Sequence, residues 1–180
     1  MATNKISANL IPWAPSTVSK AAAEAFQVTT LSGRGGSGVF ANPSGVAVSP
    51  DGSVYVVDQD KFKIKKLSGD TITDFATSTA ITTNNTDDSF CSIYVKNADE
   101  IYVSDCRNLR VFKFNKLGTL LRTYAVSLNL PAKCGNCRDW GGGLAVDNLG
   151  GIFLSDEHNH VIIRIDENSG LAKVYGGTAG

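Results

Sequence analysis

An all-β fold of repeated four-stranded units is predicted for this chain by three observations. These are a gapless internal repeat, an acidic residue held at one offset in every copy, and strand-and-turn chemistry with no helical pattern between the copies. The copies read GVAVSPDGSVYVVDQDKFKIKKL from Gly45, SIYVKNADEIYVSDCRNLRVFKF from Ser92 and GLAVDNLGGIFLSDEHNHVIIRI from Gly143, with starts 47 and 51 residues apart. In each copy an Asp follows the first residue by 13 positions, giving Asp58, Asp105 and Asp156.

The elements follow in chain order. Residues 1–26 are predicted as an N-terminal arm, with a short helix over Ser16–Phe26: Ser16 can cap it, Pro15 precedes it, and 20–25 are mostly good helix formers. Residues 26–33 are predicted as one extra strand ending in a glycine turn. Each repeat then opens on a short apolar strand a (45–48, 92–95, 143–146) and reverses at Ser49-Pro50-Asp51-Gly52, Lys96-Asn97-Ala98-Asp99 or Asp147-Asn148-Leu149-Gly150. Strand b is VYVVD, IYVSD or IFLSD, and strand c is KIKKL, VFKF or VIIRI, whose alternation is expected to expose Lys63, Lys65, Lys113 and Arg164 on one face. A more polar strand d closes each unit as TITDFA, LLRTYA or LAKVY. Four short strands per unit at a period of 40 to 50 residues are the pattern of β-propeller blades, here about 45–76, 91–125 and 143–175 within a domain of 27–180.

Composition narrows the partners. The chain has 180 residues, 42% hydrophobic and 19% charged, which is enough for one domain with a core. Lys plus Arg and Asp plus Glu both count 17, so no global field is available to hold a polyanion or an anionic membrane. A local stripe of Lys61, Lys63, Lys65 and Lys66 is the one feature in favour of RNA, and alternate strand lysines more often form a solvated face. No apolar run approaches the length of a membrane span, and no signal peptide is visible in this chain.

Asp156-Glu157-His158-Asn159-His160-Val161-Ile162 resembles the signature of the NHL-repeat family, in which an apolar strand ends in Asp and Asn-His and an apolar residue follow. Asp105-Cys106-Arg107-Asn108 keeps the Asp and Asn, and Asp58 with Ile64 keeps the Asp and the apolar end. The resemblance implies a six-bladed type of propeller, related in fold to regucalcin-like lactonases and strictosidine-synthase-like proteins. Three blades would then be an incomplete ring, with apolar end faces that another protein chain, a second copy or further sequence must cover. It also implies turn-building roles for Asp58, Asp105, Asp156, Asn108 and Asn159, and a packing role for His160.

The cysteines carry their own geometry. If strands a and b of the second repeat turn between Ala98 and Asp99, Cys91 and Cys106 stand opposite each other at the open end of the hairpin, within reach of a disulfide. Cys134 and Cys137 fall in an inter-blade loop as Cys-x-x-Cys, open to a loop-stapling disulfide, free thiols or a metal or redox pair; the lack of a second pair favours the staple. Two disulfides would place the chain in an extracellular, lumenal or cell-surface setting, and a glycosylation sequon at Asn84 agrees with secretion.

Candidate chemistry is sparse. Three equivalent Asp residues could ring a metal, but repetition in every blade points to architecture. His158 and His160 share one turn, with no third ligand in view. No cofactor is expected, calcium or zinc entering only under an axial lyase or lactonase reading. The reading favoured by the sequence is a non-catalytic protein-interaction or structural module, with Arg138 and Trp140 in the loop 126–142 as candidate interface anchors and 76–90 as a second contact loop.

Overall fold

A computed structural model describes residues 39–59, 63–69, 71–77, 90–126, 128, 142–157 and 159–177. The extra strand and helix expected before residue 38, the sequon at Asn84, and Cys134, Cys137, Arg138, Trp140 and His158 lie outside these residues.

Among the described residues, twelve strands form three antiparallel four-stranded sheets, each in sequence order. The first sheet holds β1 (Pro43–Val48), β2 (Val54–Asp58), β3 (Lys63–Ser68) and β4 (Thr71–Thr77). The second holds β5 (Phe90–Asn97), β6 (Glu100–Asp105), β7 (Arg110–Phe114) and β8 (Leu120–Ala125). The third holds β9 (Leu144–Val146), β10 (Gly151–Asp156), β11 (Val161–Asp166) and β12 (Ala172–Gly177). Each sheet is thus a meander of strands a to d, and the described sheets do not close on one another.

Short polar side chains build the reversals. The Asp147 carboxylate accepts the backbone N–H of Leu149 at 2.8 Å and of Gly151 at 2.7 Å, and Asn115 Oδ1 accepts those of Leu117 and Thr119 at 3.0 Å. Such local bonds satisfy turn donors that no strand can reach. The amides bonded to Asp147 hold its carboxyl below the ordinary value of 3.8.

Because β-strand side chains alternate, each sheet has two faces, and successive sheets turn one face toward each other. Two cores result. Tyr55, Val57, Ile64 and Ala76 of the first sheet pack on Ile93, Ile101, Val103, Phe112 and Phe114 of the second. Tyr102, Val111 and Tyr124 of the second pack on Val146, Ile152, Leu154, Ile163 and Ile165 of the third. At about 1.5–3 kcal/mol for each large side chain removed from water, these two seams hold the sheets together.

Two expectations need correction. The β5–β6 hairpin does turn at Ala98-Asp99, but bulges at Lys96 and Cys91 shift the pairing, so that Ser92 faces Ser104 and Phe90 faces Asp105. Cys91 and Cys106 still form a disulfide, with Cα atoms 6.0 Å apart, because the second bulge turns Cys91 toward the residue just past β6. The lysines of strand c do not share a face: Lys63 and Lys65 lie on the first sheet's rear face beside Asp74, whereas Lys113 and Arg164 occupy the side turned toward the next sheet. The repeat equivalent of Lys113 is Lys66, a register that strand c alternation alone did not distinguish.

Candidate interaction face

The repeat offsets place Tyr55, Tyr102 and Phe153 at one structural position on strand b, and Ile64, Val111 and Ile162 at one position on strand c. In the first two sheets these positions are fully buried under the next sheet. In the third, nothing among the described residues follows: Ile162 is 39% exposed and Phe153 is half-buried. On strand d, Tyr175 lies in a bulge, as Phe75 does in the first sheet, and is 64% exposed where Phe75 is half-buried. Phe153 and Tyr175 meet edge to face with centroids 5.3 Å apart, so the open side of the third sheet presents a formed aromatic pair.

A cation stands over the strand b aromatic in every sheet. Lys66 lies 5.4 Å from the Tyr55 ring centroid, Lys113 5.3 Å from that of Tyr102, and Arg164 5.9 Å from that of Phe153. Between the second and third sheets this cation is part of a polar clasp. Lys113 Nζ bonds Glu100 at 2.6 Å and Glu167 across the seam at 2.5 Å, while the Tyr102 hydroxyl donates to Glu167 at 2.6 Å. Arg122 donates to the backbone carbonyls of Glu167 and Asn168 at 2.7 and 3.1 Å.

The clasp shifts its own titrations. Burial pushes the Tyr102 hydroxyl up, and its bond to Glu167 adds to that. Burial alone would lower Lys113, but its bonds to Glu100 and Glu167 outweigh it and raise it. Burial likewise acts to raise Glu167, yet the bonds from Lys113 and Tyr102 take it below the ordinary glutamate value of 4.5; for Glu100 the Lys113 bond is the largest cause of the same shift. Carboxyls that titrate lower folded than unfolded stabilise fully above about pH 4.5, and that contribution is lost as pH falls through the folded values. Stability is therefore expected to fall more steeply below pH 4.5 in the native chain than in Glu167→Gln. Urea midpoints across pH 3 to 7, a range of about four units, measure this, and parallel profiles would refute it.

The repeated acidic residues are buried and bonded. Asp105 accepts the backbone N–H of Arg107 and Asn108 at 3.2 and 3.3 Å, the Asn108 amide at 2.9 Å and Arg110 Nε at 2.8 Å. Asp156 accepts the Asn159 backbone N–H at 3.0 Å and its amide at 2.7 Å. Asp58 instead receives the N–H groups of Ala41 and Asn42, just before β1, at 3.0 and 2.8 Å. His160 is exposed, at φ 55°, matching Leu109 at φ 49° one repeat earlier. Its position is a left-handed turn site rather than the packing role expected of it. A cavity of 20 Å³ lies at this end of the seam beside Asp105, Arg110 and Asp156, with room for about one water. Among the described residues no group of three His, Cys, Asp or Glu side chains is placed to hold a metal.

Sheets stacked in this way are propeller blades, and comparisons with known proteins agree. The NHL repeat family matches residues 40–67. A streptogramin B lyase structure is similar at TM-score 0.59 and 19% identity, over 78% of this chain and 42% of that one. Virginiamycin B lyase from Staphylococcus aureus gives 0.56 and 17%, over 76% and 41%. A nidogen/laminin complex gives 0.54 and 18%, over 74% and 48%. The chain thus spans less than half the length of these structures, and at such identities the likeness shows the fold alone. No curated protein matches the sequence. The chain carries three blades of an NHL-type β-propeller.

Sequence reasoning missed the open aromatic face. The signal was available in the repeat alignment, where Tyr55, Tyr102 and Phe153 fall in one column.

Proposed function

We propose that this chain is a non-catalytic propeller module that works by binding protein, in an oxidising extracellular or lumenal setting. One observation carries the reading: Ile162 is 39% exposed and Phe153 half-buried at positions whose counterparts in the second blade, Val111 and Tyr102, are fully buried under a neighbour, and Tyr175 beside them is 64% exposed. A contiguous apolar face with a formed aromatic pair and a cation at its edge has the composition of an interface core. The nidogen/laminin complex supports it as a fold neighbour seen with another protein, and the Cys91–Cys106 disulfide supports the compartment.

A photo-crosslinking residue in place of Ile162 is expected to give a discrete protein adduct in native extract, whereas one in place of exposed Leu117, on a turn of the second blade, is not. Adducts at neither position would overturn the reading. Stoichiometric calcium or zinc in the purified chain would instead favour a lyase or lactonase.

A further inference from the structure

The Cys91–Cys106 disulfide joins two sulfurs in unequal surroundings. Cys106, at the start of the b–c turn of the second blade, is 4% exposed, whereas Cys91 is half-buried in its bulge on β5. Each end is also held without the bond. Beside Cys91, Phe90 is fully buried and packs edge to face on Phe112 at 5.9 Å. The Cys91 carbonyl lies so close to Gly45 of the first blade that an added Cβ there would sit 2.9 Å from it. Beside Cys106, the Asp105 carboxylate ties the turn through Arg107, Asn108 and Arg110. Both backbones therefore keep their anchors when the sulfurs part.

The buried sulfur is also placed to leave. Cys106 lines the 20 Å³ cavity at the seam together with Ser104 and Arg110, and its Sγ is 3.9 Å from Ser104 Oγ. The donation of that hydroxyl to the Ser92 carbonyl is long, at 3.5 Å, so its O–H gives up little by turning toward a thiolate. Thiol–disulfide exchange depends on which sulfur is reached and on how well the other one leaves, and both factors here favour attack at Cys91.

We propose that Cys91 is a thiol-exchange site that takes up a low-molecular-weight thiol of the glutathione or cysteine type in the folded chain. The incoming thiolate attacks Cys91 Sγ and forms a new S–S bond there as the Cys91–Cys106 bond breaks. The electron pair of the broken bond leaves on Cys106 Sγ, which is protonated from solvent. Cys91 is then capped as a mixed disulfide and Cys106 is a buried thiol. A second thiol molecule removes the cap as its own oxidised dimer and leaves two protein thiols. The inference concerns a modification and holds whichever partner the open face of the third blade takes.

In the test, the full chain is treated with reduced glutathione without denaturant, quenched with N-ethylmaleimide and digested with trypsin. The digest separates Cys91 (residues 67–96), Cys106 (97–107) and Cys134 with Cys137 (134–138). Glutathione on 67–96 with maleimide on 97–107 is expected in about tenfold or greater excess over the reverse pattern. Equal or reversed adducts would overturn the assignment. So would opening that begins only in urea concentrations that unfold the chain. Where the second thiol acts too fast for the mixed disulfide to accumulate, single-cysteine variants decide. Cys106→Ser is expected to take up glutathione from glutathione disulfide at Cys91 about tenfold or more faster than Cys91→Ser does at Cys106, with the difference gone in urea. Equal rates in the folded variants would refute the proposal.

Discussion

Replacing Gly118 by alanine is expected to cost about 3 kcal/mol or more and to loosen the first blade from the second. Gly118 sits at φ 76°, a region that side-chain-bearing residues enter at a cost of about 1–2 kcal/mol. Its surroundings add a second penalty, because an added Cβ would fall on the backbone carbonyl of Phe75 across the seam. Backbone cannot give way as a side-chain tip can, and overpacking of this kind costs a further 1–3 kcal/mol or so. Phe75 in turn stacks edge to face on Tyr55 and Phe114, with centroids 4.9 and 6.3 Å away, so displacing it disturbs the first seam's aromatic cluster. Urea unfolding would read the effect as a lower midpoint. A midpoint unchanged within error would show that the seam does not depend on this close approach. Gly52, also at positive φ but with open space around it, is the matched control and is expected to lose only the conformational part.

The second large effect is at Asp105. Its carboxylate is buried and accepts from Arg107, Asn108 and Arg110, so Asp105→Ala removes one partner from a buried ion pair and strands several donors. Losses of about 3–5 kcal/mol follow when a buried pair is broken from one side. Asp105→Asn keeps the shape and one acceptor oxygen and is expected to lose roughly half as much. Equal stability of the alanine variant and the native chain would remove the claim that this repeated acid is architectural. The Cys91–Cys106 disulfide adjoins the same turn, so both variants are best compared with the disulfide intact.

Much of the fold was readable from residue order. The period of 47 and 51 residues located all three blades, and the runs VYVVD, IYVSD and IFLSD are strands at β2, β6 and β10. Turns were legible because Asp, Asn and Gly satisfy or permit local backbone geometry without help from distant residues, as Asp147 and Asn115 do. The facing of strand c was not. Lys65 and Lys66 are adjacent, and a slip of one residue exchanges the two faces of a strand. Only the pairing of Lys65 with Val56, and of Lys66 with Tyr55, decides which lysine crowns the aromatic and which joins Asp74. Bulges were equally hidden: the disulfide was anticipated from an unbroken hairpin, whereas Cys91 reaches Cys106 from a bulge.

The sequence by itself determined that the chain is a tandem of four-stranded NHL-type units, since alternation, turn residues and a repeated acid are local properties that recur with the repeat. Tertiary structure alone decided which of those equivalent residues are buried and which are open. Val111 and Ile162 are both aliphatic residues at the same place in the repeat, and one is fully buried in the core shared with the following blade while the other is 39% exposed. The reason is physical: burial belongs to the neighbour across the seam, and a residue's own sequence context does not contain that neighbour.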